Sequence, residues 1–244
     1  VCKAVPDGGT PAENPALAQV LNKPQYQGFG VSFREIGGQS ASINSNRTFP
    51  IASLYKLFLA KWVYEQDIDL SQKIPLWNVQ SNLVENGQDG VGFLYQNNSP
   101  REGQLVSISE CIQKMIVYSD NVCGSSLLRW AKDNKRYTGP GGLDEYSANS
   151  IGDLLSSIKD ISGVYNLMRE QYHDKKIPAG VPTGAEIANK TGELHESNYS
   201  HDAAIIKYNG KTYILVVMTS RDPDISSTNQ TIQQLTRELF SALK

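Results

Sequence analysis

The chain has 244 residues, 39% of them hydrophobic, which is enough for one large core or two modest ones. Twenty-five acidic residues against twenty-three basic ones leave a net charge of −2 with no Lys/Arg run, so nucleic acid and anionic membrane surfaces are not expected partners. Apolar stretches fall short of the ~20 residues that span a bilayer, no signal-peptide pattern opens the chain, and any export signal is expected to have been removed or left out.

In chain order, "ENPALAQVLN" (residues 13 to 22) places Leu17, Val20 and Leu21 on one helical face. "GFGVSFREIGGQSASIN" then reads as two strands about a Gly37-Gly38 turn. "FPIASLYKLFLAKWV" (49 to 63) is an apolar helix, expected to start just after Pro50, with Lys56 one turn after Ser53. Ser107 followed by Glu110 is a capping-box pattern, and Ile108, Cys111, Ile112, Met115 and Ile116 continue it as a helical stripe. "SDN" (119 to 121) follows at once and precedes a second helical stretch carrying Leu127 and Leu128. Residues 134 to 149 read as a loop centred on Gly139-Pro140-Gly141-Gly142, and "SANSIGDLL" begins the next helix, with residues 145 to 149 in position to cap it.

"GAEIANKTGEL" is a strand, and "AAIIKYNGKTYILVVMTS" is a hairpin whose Asn209-Gly210 signals a type I′ turn. Residues 228 to 244 close the chain as a helix with Ile232, Leu235, Leu239 and Leu243 on one face. Strands at both chain ends and helices between them predict an α+β fold, an α/β sandwich. Its antiparallel sheet is built from both termini (about 1–50 and 180–244) under flanking N- and C-terminal helices, with a helical part over about 51–179, all within one domain.

Cys2, Cys111 and Cys123 are an odd count without a CxxC pair, and His173, His195 and His201 lack zinc-ligand spacing, so neither a metal nor another cofactor is expected. Cys111 and Cys123 read as buried thiols or as disulfide partners.

The chemistry centres on Lys56. A serine three residues before a lysine on a helix shares its face, and burial among Leu54, Leu57, Phe58, Leu59, Trp62 and Val63 favours a neutral amine able to take the serine proton. The Ser-x-x-Lys pattern alone is uninformative, since Ser156/Lys159 and Ser241/Lys244 repeat it.

"SLYK", "SDN" and the single "KTG", in that order and each on the right kind of element, resemble the class A β-lactamase and penicillin-binding serine enzymes. "GFGVSFREIGG", "NRTFPIASLYKLF", "GVGFLYQ", "ECIQKMIVYSDNVCGSSLL" and "IANKTGEL" extend the likeness over nearly the whole chain. The resemblance implies Ser53 as nucleophile, Lys56 as its proton acceptor and Ser119 as the relay to the leaving nitrogen. Asn121 would hold the substrate's side-chain amide, and Lys190 and Thr191, with Gly192 completing their motif, would hold its carboxylate. The backbone N–H groups of Ser53 and Glu193 would form the oxyanion hole. Tyr95 matches an aromatic at the rim of the family's site.

The family places a glutamate that activates deacylating water between the second and third motifs. Here only 68 residues separate Asn121 from Lys190, and the deficit falls where that loop belongs. Glu145 and Asn149 reproduce the glutamate-to-asparagine offset, so Glu145 is the candidate base. The expected protein is an extracytoplasmic monomer acting on β-lactams or D-alanyl peptides, as a β-lactamase, as a D-alanyl-D-alanine peptidase, or as a non-catalytic binding domain that keeps the fold.

Overall fold

A computed structural model describes residues 12–79, 100–194, 199–219 and 225–243. Strands β1 (Ala12–Glu13), β2 (Gly30–Glu35), β3 (Gln39–Ile43), β8 (Glu186–Leu194), β9 (Tyr199–Tyr208) and β10 (Lys211–Met218) form one sheet in the order β1-β3-β2-β10-β9-β8. Every pairing is antiparallel except that of β1 with β3. Both expected turns are present. Gly37 takes φ 73° between β2 and β3, and Asn209 and Gly210 take φ 51° and 73° between β9 and β10, the left-handed pair that a type I′ turn requires.

Side-chain alternation along the strands divides the interior in two. One face carries Phe33, Ala204, Ile206, Leu215 and Val217 against the terminal helices α1 (Pro15–Leu21) and α7 (Ile225–Ser241). Leu17, Leu21, Ile232, Leu235 and Leu239 are fully or almost fully buried there, each contributing about 2 kcal/mol. The other face carries Ala203, Ile205, Ile214, Val216 and Met218 against the helical layer. That layer comprises α2 (Tyr55–Glu65), α3 (Ile108–Val117), α4 (Asn121–Lys135), α5 (Ala148–Ile158) and α6 (Ser162–Arg169).

Local chemistry sets the helix starts. Asn14 caps α1, accepting from the N–H groups of Ala16 and Leu17, and the Ser107 hydroxyl accepts from Glu110 N at the head of α3. The expected cap of α5 comes from Ser147, which accepts from Ser150 N. Glu145 lies outside that cap, in β7 (Glu145–Ser147), which pairs with β4 (Thr48–Pro50). The 134–149 loop is therefore shorter than the sequence suggests, since α4 extends through Lys135 and β7 begins at Glu145. A further pair, β5 (Lys73–Pro75) with β6 (Leu105–Ser107), ties the entry of α3 to the end of the α2 connection. Cys111 and Cys123 are free buried thiols, and the neighbouring Cys111 thiol, then burial, pushes the Cys123 thiol well up. Cys2 and His195 lie outside the described residues.

Candidate active site

Pro50 ends β4, and a 3-10 turn over Ala52–Leu54 leads into α2, so Ser53 sits at the helix entrance. Ala52 adopts φ 50°, a conformation that costs an L-residue roughly 1 kcal/mol or more and so must be held by its surroundings. Three elements hold it. Ile51 N donates to Asp144 O and Ala52 N to Gly142 O, each at 2.9 Å, so the shortened loop clamps one side of the turn. On the other side β8 passes so close that a Cβ on Gly192 would lie 3.0 Å from Ile51 O and 3.1 Å from Leu54 Cγ. Behind it, His201 Nε2 donates to Pro50 O at 2.9 Å while its Nδ1 accepts from Thr219 N at 3.1 Å. The two bonds set the ring's tautomer, and burial drives its pKa down to about 4.

Lys56 is fully buried, as its apolar neighbours imply. Its Nζ donates to Ser119 O at 2.6 Å, to Asn121 Oδ1 at 2.7 Å and to Ser53 Oγ at 3.0 Å. The Ser53 separation serves equally for Oγ–H donating to a neutral amine, as proton abstraction requires. Gly124 of α4 makes room for this side chain, because a Cβ there would lie 2.8 Å from Lys56 Cε.

Ser119 bridges two amines. It sits between α3 and α4 at φ 58°, with its Oγ 3.5 Å from Lys56 Nζ and accepting from Lys190 Nζ at 2.7 Å. Lys190 is also fully buried, and its pKa lies well below the ordinary lysine value because of desolvation, then the charges of Lys56 and Lys176. The cluster resists carrying a full set of positive charges, which favours a free amine beside the two hydroxyls. Asp120 supplies the cap of α4, its Oδ1 accepting from Cys123 N at 2.7 Å, while burial raises its carboxyl pKa against the opposing charge of Lys56.

The structure thus brings Ser53, Lys56, Ser119, Asn121 and Lys190 into one hydrogen-bonded chain, with Thr191 O accepting from Lys190 at 3.0 Å and Gly192 packed on the nucleophile turn. Glu193 follows on the same strand, and its side chain takes the buried Lys176 Nζ at 2.6 Å. Glu145 points elsewhere: its carboxylate accepts from Thr48 Oγ1 at 2.9 Å on an exposed strand. Asn149 bonds Asn46 and Arg34. Tyr95 lies outside the described residues. Of the repeated Ser-x-x-Lys patterns, Lys159 pairs with Asp160 at the surface, and Lys244 lies outside the described residues.

Sequence reasoning missed His201 and Lys176. A histidine in a strand and the second lysine of a loop pair carry no local signal, because their partners, Pro50 and Glu193, lie 151 and 17 residues away.

Among solved structures, a point mutant of PBP-A, determined as an acyl-enzyme complex with penicillin G, is 22% identical, with 96% of this chain and 98% of that chain covered and a TM-score of 0.73. A class A β-lactamase from Mycobacterium abscessus is 20% identical over 93% and 97% of the two chains, TM-score 0.69. A β-lactamase from Sphaerobacter thermophilus is 18% identical over 93% and 95%, TM-score 0.69. These likenesses concern the fold. No curated protein sequence matches the chain. The profile of the beta-lactamase enzyme family matches residues 15–243, and the chain belongs to that family.

Proposed function

We propose that this protein is a serine hydrolase that opens the β-lactam amide and holds the product as a slowly hydrolysed ester on Ser53. The observation that carries the reading is the unbroken run Ser53–Lys56–Ser119–Lys190, in which two hydroxyls alternate with two buried amines. Ser53 Oγ attacks the lactam carbonyl as its proton passes to Lys56 Nζ. The C–N bond then breaks, and a proton reaches the leaving nitrogen through Ser119. Backbone N–H groups of Ser53 and Glu193 stabilise the developing oxyanion, donors typically worth about 3 kcal/mol each. Lys190 and Thr191 receive the substrate carboxylate, and Asn121 its side-chain amide.

Slow hydrolysis of the ester is supported by the carboxylates. Among the described residues Ser53 Oγ bonds Lys56 alone, and Glu145 is engaged with Thr48. Hydrolysis needs a base to activate water, so an acyl-enzyme formed here persists. The same site would accept a D-alanyl peptide, whose scissile amide and terminal carboxylate have the same layout. Those substrates lie outside the cytoplasmic membrane, where we place the protein as a monomer; no helix among the described residues is long and apolar enough to cross a bilayer.

The test is intact-protein mass spectrometry with benzylpenicillin, beside a chromogenic cephalosporin assay. One equivalent of adduct, stable over many minutes and absent from Ser53→Ala, is the expected result. Rapid multiple turnover would identify an efficient β-lactamase instead, and no adduct on folded protein would mark a non-catalytic binding domain.

A further inference from the structure

A cavity of about 360 Å³ opens between α2, the segment after α4, and α5, within the size range of small-ligand sites. It is separate from the chain around Ser53. Successive residues of a helix turn by 100°, so Phe58, Lys61 and Trp62 project from the side of α2 roughly opposite Lys56. None of Ser53, Lys56, Ser119 or Lys190 lines it.

Its walls are aromatic and its charge is one-sided. Phe58, Trp62, Tyr137 and Leu154 provide the apolar surface, with Trp62 and Tyr137 edge to face at 5.2 Å. Lys61 is neutralised by Glu65 at 2.5 Å. Arg136 has no such partner: its guanidinium makes no hydrogen bond or ion pair among the described residues. Its backbone takes φ 58° at the end of α4, a left-handed position that glycine fills without strain and that costs another residue roughly 1 kcal/mol or more. The chain accepts that cost and keeps a guanidinium at the cavity.

Tyr137 is 6% exposed and its hydroxyl is buried without a hydrogen-bond partner, a state that costs about 1–3 kcal/mol. Gly139, also on the cavity wall, covers that hydroxyl so closely that any side chain at 139 would collide with it.

We infer that this cavity is a binding site for a small aromatic monocarboxylate, its ring against Trp62, Phe58 and Tyr137 and its carboxylate on Arg136. The guanidinium fork suits a carboxylate, and the ring of Tyr137, held under Gly139, completes the aromatic wall.

The probe is indole-3-acetate, titrated into the ¹⁵N-labelled full chain and followed at the Trp62 indole N–H and Arg136 Nε–H resonances. Saturable shifts at both are expected at submillimolar to millimolar probe. Binding should weaken about tenfold or more for the neutral indole-3-acetamide and for Arg136→Ala, be blocked by Ser157→Trp, which fills the cavity from an exposed helix position, and persist in Ser53→Ala. Lack of saturation at these resonances, equal binding of the amide, or indifference to Arg136→Ala would overturn the assignment. So would loss of binding in Ser53→Ala, which would place the probe in the nucleophile site. Because the readout is binding, failure of the acyl-enzyme reading would leave this result unaffected.

Discussion

His201→Gln separates a positioning role from a titrating one. The glutamine amide can still donate to Pro50 O, but nothing then accepts from Thr219 N, and a buried N–H left unsatisfied costs about 1–3 kcal/mol. The variant should be less stable by that amount at pH 7.5. The native imidazole titrates at about 4 against 6.5 when unfolded, so between those values the unfolded state binds the proton and the folded state does not. Stability is therefore lost as pH falls through this window. At 1.36 kcal/mol per pKa unit, the loss is about 3 kcal/mol by pH 4. Asp202 acts in the opposite sense: burial raises its carboxyl to about 6 from 3.8, so protonating it favours the folded state as pH falls. That contribution, and the one from His173, whose pKa is also lowered to about 4 chiefly by burial, are common to both proteins and cancel in the difference. Urea melts from pH 7.5 to 4 should show the stability gap closing and then reversing. With an m-value of about 3 kcal/mol/M, the midpoint difference changes by about 1 M. A gap that stays constant over the range would refute the claim that His201 is held as the neutral tautomer.

Three further outcomes test the site. Lys190→Met removes the ammonium that would meet the substrate carboxylate, so acylation by benzylpenicillin should fall about 100-fold, from a charged hydrogen bond worth about 3 kcal/mol, while the methyl ester is affected far less; equal losses for acid and ester would exclude carboxylate binding. Glu145→Gln should leave the decay of the acyl-enzyme unchanged in a mass-spectrometric time course, since that carboxylate is bonded to Thr48, and slower decay would make Glu145 the deacylating base. Gly192→Ala puts a methyl 3.0 Å from Ile51 O and should cost about 1–3 kcal/mol in thermal stability and lower acylation about tenfold, whereas wild-type kinetics would show that β8 does not brace the nucleophile turn.

Most elements were legible because their signals are local. The Asn209-Gly210 turn, the Ser107 cap and the apolar stripe of α3 each lie within a few residues, where helical or strand periodicity and left-handed backbone need no distant partner. The β4–β7 pairing was not, because three-residue strands are too short to show a period and are recruited only when the shortened loop reaches Ile51 and Ala52. β1, two residues long, escaped notice for the same reason, since its parallel register with β3, Ala12 opposite Gln39, leaves no local period.

At the site, sequence alone determined which chemical groups were available and roughly where each would sit on its element: a serine at the head of a buried helix, a serine between helices, a lysine on a strand. Tertiary structure decided how they act. Lys56 meets Ser119 across 63 residues and Ser119 meets Lys190 across 71, so the shared hydrogen bonds, and the mutual repulsion that helps depress Lys190, exist only once α2, α4 and β8 converge. The same convergence set His201 behind Pro50 and turned Glu145 towards Thr48. Hydrogen bonds and charge repulsion act over a few ångströms of space regardless of sequence separation, so the sequence names the reacting groups but not the partners that hold them, His201 and Lys176 among these.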